Sequence, residues 1–175
     1  MLGTIWKWFY RFVVSIGVLF VLLSILLVIG MNRPHVTQSS GETVVSADAN
    51  AATISGSLPP TATKVQYCRA SVGMGGRLLL YRFSAPAADL HVHAQKEFAA
   101  HWHKPQFMKR SGVNSPITEN DIKLYKTGFG VEAAWMLTPP DVVGTLYESL
   151  DGQFSHRPTI FVDDTNEILY FQMTD

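Results

Sequence analysis

The sequence predicts an α+β protein carried on a single amino-terminal transmembrane helix. Three observations predict it. An uncharged apolar run occupies residues 12–29. Five later stretches (64–71, 77–84, 129–136, 158–162 and 168–173) read as strands. One stretch opened by Ser84-Ala85-Pro86 and closed by Lys104-Pro105 reads as a long helix. The expected head is a small antiparallel sheet of about five strands with that helix packed against one face.

The apolar run organises the rest. Arg11 and Arg33 bracket 21 residues without a charge, and 15 of the 18 residues from Phe12 to Ile29 are Leu, Ile, Val or Phe. As a helix rising ~1.5 Å per residue, the uncharged stretch spans the roughly 30 Å hydrocarbon layer of a bilayer. Its apolar side chains favour insertion by about 5–9 kcal/mol. Ser15 and Ser24 do not offset this, because a helical serine can bond back to its own backbone carbonyl. A cleaved signal peptide is the rival reading, but the run is longer than a signal core, and Gly30-Met31-Asn32-Arg33 supplies no small-x-small cleavage site. An uncleaved anchor is therefore expected.

The flanks set the expected orientation. Lys7 and Arg11 precede the run, whereas Arg33 is the one basic residue between it and Lys64. Cationic flanks stay in the cytoplasm, which places the amino terminus inside and the remainder outside. Trp6, Trp8, Phe9 and Tyr10 would meet the inner headgroups. The expected organisation is a cytoplasmic terminus over 1–11, an anchor over 12–30, a flexible tether over 31–57 and a soluble α+β domain over 58–175. The tether is rich in Ser, Thr, Ala and Gly, and as a coil it would reach roughly 30 Å.

Net charge is zero, with 14 basic and 14 acidic residues, so nothing draws the chain to nucleic acid. The balance hides an asymmetry. From Lys64 to Lys126 there are ten basic against four acidic residues (+6), and from Thr127 to Asp175 one against eight (−7). Pairing within one domain explains that economically; a polarised surface for a charged partner is the sharper alternative. The single cysteine, Cys68, can form no internal disulfide and reads as a small buried apolar residue on a strand.

Along the head, Gly73-Met74-Gly75-Gly76 joins the first two strands as a hairpin turn. A strand follows these glycines, where a phosphate-binding loop needs a helix. In the long helix, Leu90, Ala94, Phe98 and Trp102 form the core stripe. Residues 106–115 read as irregular. Thr118 with Asp121 signals a capped helical turn ahead of Leu124 and Tyr125. Thr138-Pro139-Pro140-Asp141 reads as a helix start, with Val142, Val143, Leu146, Tyr147 and Leu150 on one face and Gly152 as the stop. Asp163-Asp164-Thr165-Asn166 closes a final hairpin; it lacks the central glycine and distal glutamate of a calcium loop.

Four of the six histidines lie on the long helix. His91/His93 and His101/His103 are two apart and diverge by about 200° on a helix. His93, Glu97 and His101 recur every four residues on one face and are the candidate metal ligands or pH-responsive cluster. The bland reading makes them a solvated face opposite the Leu90/Phe98/Trp102 stripe. Trp102, Trp135, Tyr81 and Tyr170 could line an aromatic pocket, though such residues are more often core. No Gly-x-Ser-x-Gly and no His-Glu-x-x-His occurs, and no cofactor is implied. Anchor, tether and small head together resemble bacterial envelope proteins in architecture, a likeness without a motif or a mechanism. The leading expectation is a non-enzymatic binding module held at the bilayer by residues 12–30, with a protein partner in the envelope. A metal- or pH-responsive activity at His93, Glu97 and His101 is the alternative.

Overall fold

The structure is a computed structural model that describes residues 2–31, 33–40, 58–73, 76–101, 107–149 and 158–174. It divides into two compact units, residues 1–33 and 34–175.

The first unit is one helix, α1 (Leu2–Met31). From Trp6 to Met31 it is long and apolar enough to cross a membrane, and every side chain of that span is exposed. Both serines bond back as expected: Ser15 Oγ donates to the Arg11 carbonyl and Ser24 Oγ to the Phe20 carbonyl, each at 2.8 Å. The indole of Trp6 lies 5.9 Å from the Phe9 ring.

The second unit is built on one antiparallel sheet of seven strands, β1 (His35–Ser40), β2 (Thr63–Val72), β3 (Gly76–Ser84), β4 (Phe107–Asn114), β5 (Val143–Ser149), β6 (Thr159–Asp163) and β7 (Ile168–Thr174). Their spatial order is β1-β2-β3-β7-β6-β5-β4. The last strand thus sits centrally. It pairs with β3 from Ile168↔Ser84 to Thr174↔Leu78, and with β6 from Ile168↔Asp163 to Gln172↔Thr159. Without β7 the sheet would fall into two three-stranded pieces.

Both faces are covered. Helix α2 (Ala87–His101) lies over one, where Val65, Tyr67, Leu79, Tyr81, Phe83, Tyr147, Ile160, Val162, Leu169 and Phe171 meet Leu90 and Ala94. Helix α3 (Glu119–Phe129) and a 3₁₀ turn (Ala134–Met136) cover the other, where Cys68, Ala70, Leu78, Leu80, Leu146, Phe161 and Tyr170 meet Tyr125, Val131, Ala133 and Met136. This explains why Leu78 to Tyr81 are all buried: consecutive residues of a central strand point into opposite cores.

The expected α+β class, with one amino-terminal apolar helix, is therefore present, but among the described residues the sheet has seven strands in place of about five, and two helices pack on it in place of one, three α-helices in all. Each difference has a local cause. Within the segment read as tether, His35–Ser40 pair with β2 from His35↔Ser71 to Ser40↔Gln66. Residues 106–115 read as irregular because β4 is an edge strand whose described side chains are mostly exposed, so no apolar alternation marks it. The expected strand at 129–136 is the end of α3 followed by a 3₁₀ turn; its apolar residues are buried by lying across the second core. The expected helix after Pro140 is β5. Leu146 and Tyr147 enter opposite cores, and adjacent apolar pairs of this kind satisfy a doubly buried strand as well as a helical period.

Other expectations hold. The Thr118 hydroxyl accepts from the Asp121 amide at 3.4 Å while the Asp121 carboxylate accepts from the Thr118 amide at 2.8 Å, a complete capping box. Gly130 ends α3 at φ 68°, with its N–H donating to the Lys126 carbonyl at 3.0 Å. In the final hairpin, Asp163 Oδ1 accepts from the amides of Thr165 (3.1 Å) and Asn166 (2.9 Å), and Oδ2 accepts from Asn166 Nδ2 (2.8 Å). That carboxylate is occupied in holding the turn.

Candidate functional site

Two places gather polar side chains: the underside of α2, and a groove at one end of the sheet. The sequence pointed only to the first.

On α2, His93 and Glu97 are not solvated. They are 3 % and 2 % exposed, alongside fully buried Leu90 and Ala94. The reason is angular. At 100° per residue, the rows 90/94 and 93/97 differ by one residue in phase and fall side by side within one arc facing the sheet. His93 Nε2 lies 3.2 Å from the Tyr81 hydroxyl on β3 and 3.5 Å from Glu97 Oε1. The imidazole stands edge-on to Phe83 at 5.2 Å. Burial, with some help from Lys96, lowers the His93 pKa to about 4, so the ring is neutral near pH 7. Burial first, and the Glu97 carboxylate second, pushes the Tyr81 phenol well above its ordinary value. His101 closes the helix, but its side chain lies outside the described residues, as do Phe98 and Trp102. Among the described residues, no three His, Cys, Asp or Glu side chains converge as metal ligands.

His91, two residues earlier, points elsewhere, as the 200° divergence requires. Its Nδ1 lies 2.6 Å from the Tyr147 hydroxyl on β5 and its Nε2 lies 2.8 Å from Asp164 Oδ1. Asp164 Oδ2 accepts from Thr145 Oγ1 at 3.1 Å. The two histidines thus fasten α2 to β3, β5 and the final hairpin. Tyr147 is fully buried, and burial raises its phenol pKa. The expected aromatic pocket does not assemble from what is described: Tyr81 belongs to the first core, while Tyr170 and Trp135 belong to the second. Cys68 is wholly buried, and its thiol is pushed up to about 11 by burial.

The groove has a volume of about 810 Å³ and opens where β2 begins and β3 ends. Gln66, Arg82 and Tyr170, cross-strand neighbours on β2, β3 and β7, line it together with Ile168, Asp163, Leu137 and Pro139. Arg82 is half-buried and held by Gln66, the Trp135 carbonyl and the Tyr170 side chain. Its Nε donates to Gln66 Oε1, and one terminal N–H donates to the Trp135 carbonyl. Burial raises the Tyr170 phenol pKa, and the Arg82 guanidinium beside it opposes that shift while Asp163 adds to it.

Lys64 also lines the groove. The ladder between β2 and β3 slips between Thr63 and Gln66, and at this bulge Lys64 adopts φ 51°. A non-glycine residue held in that region costs on the order of 1 kcal/mol or more, and bulges re-aim side chains. Nothing in the sequence signals this site. Its members are scattered over four strands and a loop, and none belongs to a recognisable motif.

Taken together, these features define a small α+β domain accompanied by one helix long and apolar enough to cross a membrane. Neither a protein-family model, nor a curated protein, nor a solved structure matches the chain.

Proposed function

We propose that the chain is a single-pass membrane protein whose amino terminus is cytoplasmic and whose sheet domain, the expected 58–175 extended by β1, acts as a binding module outside the cytoplasm. The observation that carries this reading is the uncovered helix. The span Trp6–Met31 is apolar and wholly exposed, while the rest of the chain packs as its own unit with both sheet faces filled. Leaving that much apolar surface in water is unfavourable by far more than a small domain's stability, so lipid is its natural solvent. The flanking charges, Lys7 and Arg11 against Arg33, support the amino-terminus-inside orientation. Recognition by the head is supported by an open groove of ligand-binding size.

Two measurements test this. Alkaline phosphatase fused after Asp175 should be active, and an inactive fusion with an active cytoplasmic reporter would remove the orientation. Photocrosslinking of the full-length chain in intact membranes should give a discrete adduct from head positions. A head that crosslinks to nothing, in membranes where the chain is abundant and folded, would count against a protein partner.

A further inference from the structure

We infer that the groove at the end of the sheet binds a small organic anion, with its oxyanion held by Arg82 and Lys64 and its apolar body against Leu137, Pro139 and Ile168. This rests on the binding-module reading and supplies its ligand class.

Charge is the first argument. The groove is lined by two cations, Lys64 and Arg82, and one carboxylate, Asp163. Among the described residues, no carboxylate lies within 4.0 Å of either cation. Asp163 keeps its charge while accepting three hydrogen bonds from its own turn, and it ion-pairs with neither cation, so the lining carries a net single positive charge. A half-buried guanidinium with no ion-pair partner in direct contact is an open position for an anion.

Preorganisation is the second. Gln66 and the Trp135 carbonyl engage Nε and one terminal nitrogen of Arg82, and the Tyr170 hydroxyl also bonds to the guanidinium; together these fix its plane and leave the remainder of its five N–H donors for a carboxylate or phosphate. The bulge that sets Lys64 at φ 51° brings a second cation to the same cavity. Shape is the third. Some 810 Å³ exceeds what a bare inorganic ion needs, and Leu137 and Pro139 in the lining offer apolar contact to the remainder of a molecule.

The test uses the full chain in phosphatidylcholine nanodiscs, titrated calorimetrically with 1-naphthyl phosphate, 1-naphthoate and neutral 1-naphthol. Both anions should bind saturably, one per chain, and naphthol at least about tenfold more weakly. Lys64→Gln should weaken both anions several-fold, and Arg82→Gln by about tenfold or more. Because Arg82 also ties down Gln66 and the Trp135 segment, Leu137→Trp, which enlarges a side chain of the groove's lining, provides the check if the Arg82 variant does not fold. No saturable binding at millimolar probe, naphthol binding as tightly as the anions, or Lys64→Gln and Leu137→Trp both without effect would each overturn the inference. Replacing a third of the lipid with phosphatidylglycerol separates the two sources of such an anion. Competition relieved by Lys64→Gln identifies a lipid headgroup, and unchanged affinity identifies a soluble ligand. A crosslinked protein adduct in a chain that binds neither probe would sink this ligand class alone and leave the binding-module reading standing.

Discussion

The Tyr81 hydroxyl and His93 Nε2 meet at 3.2 Å in the core between β3 and α2, with the Phe83 ring against the imidazole and Glu97 one helical turn further on. A polar pair at this depth makes the register of α2 on the sheet specific. Sliding the helix would leave both groups without partners in an apolar surrounding.

That placement sets a pH dependence. His93 titrates near 6.5 when unfolded and at about 4 when folded. Between those values the unfolded chain binds the extra proton, so stability is fully present above roughly pH 6.5 and falls as pH drops towards 4. The loss should approach roughly 3 kcal/mol, and His93→Gln should flatten that part of the profile. Denaturant melts of the two proteins at pH 7, 5.5 and 4.5 decide it. Parallel profiles would mean that the imidazole is not shielded.

Phe171 should be among the most costly residues to truncate. It is fully buried on the strand that joins the two halves of the sheet, and its ring stacks on Tyr81 at 4.4 Å between centroids. Phe171→Ala should cost about 3–5 kcal/mol from lost burial and the cavity left behind. Met173→Ala, on the same strand but only partly buried, should cost distinctly less. Equal losses in chemical denaturation would argue against the central position of β7.

Cys68 should be inert while the fold is intact. It has no exposed surface, and its thiol sits at about 11, so thiolate at pH 8 is scarce as well as inaccessible. Maleimide labelling of native protein should be at least about a hundredfold slower than in denaturant. Rapid native labelling would place β2 elsewhere than beneath the second core.

The sequence carried most where a local rule acts alone. The apolar run, the Thr118–Asp121 box, the burial of Cys68 and the closing hairpin each follow from a few neighbouring residues, and each is found in the structure. It carried least where tertiary context decides. His93 and Glu97 read as a solvated face because polar side chains on a helix usually are solvated, and only Tyr81 on a distant strand gives His93 a reason to be inside. Strand β4 has no apolar alternation to read, being an edge. The groove is invisible for a similar reason: Lys64, Arg82 and Tyr170 become neighbours only after three strands pair.

Gly144 offers the sharpest discrimination between the two readings of Val143–Ser149, the expected helix's Leu150 and Gly152 lying outside the described residues. In a helix, Gly144→Ala would stabilise by about 1 kcal/mol through better propensity. In the sheet, a Cβ at this position would stand 2.1 Å from the Val162 carbonyl oxygen and 2.9 Å from the Phe161 ring. The carbonyl belongs to β6, which pairs with β5, so it cannot withdraw without breaking that ladder. Opposite signs are therefore expected from the same substitution, and the structure requires the unfavourable one, by about 2 kcal/mol or more. A thermal melt suffices to read it. A variant more stable than the parent would return this segment to a helix and remove β5, and with it the edge strand β4 that pairs only there.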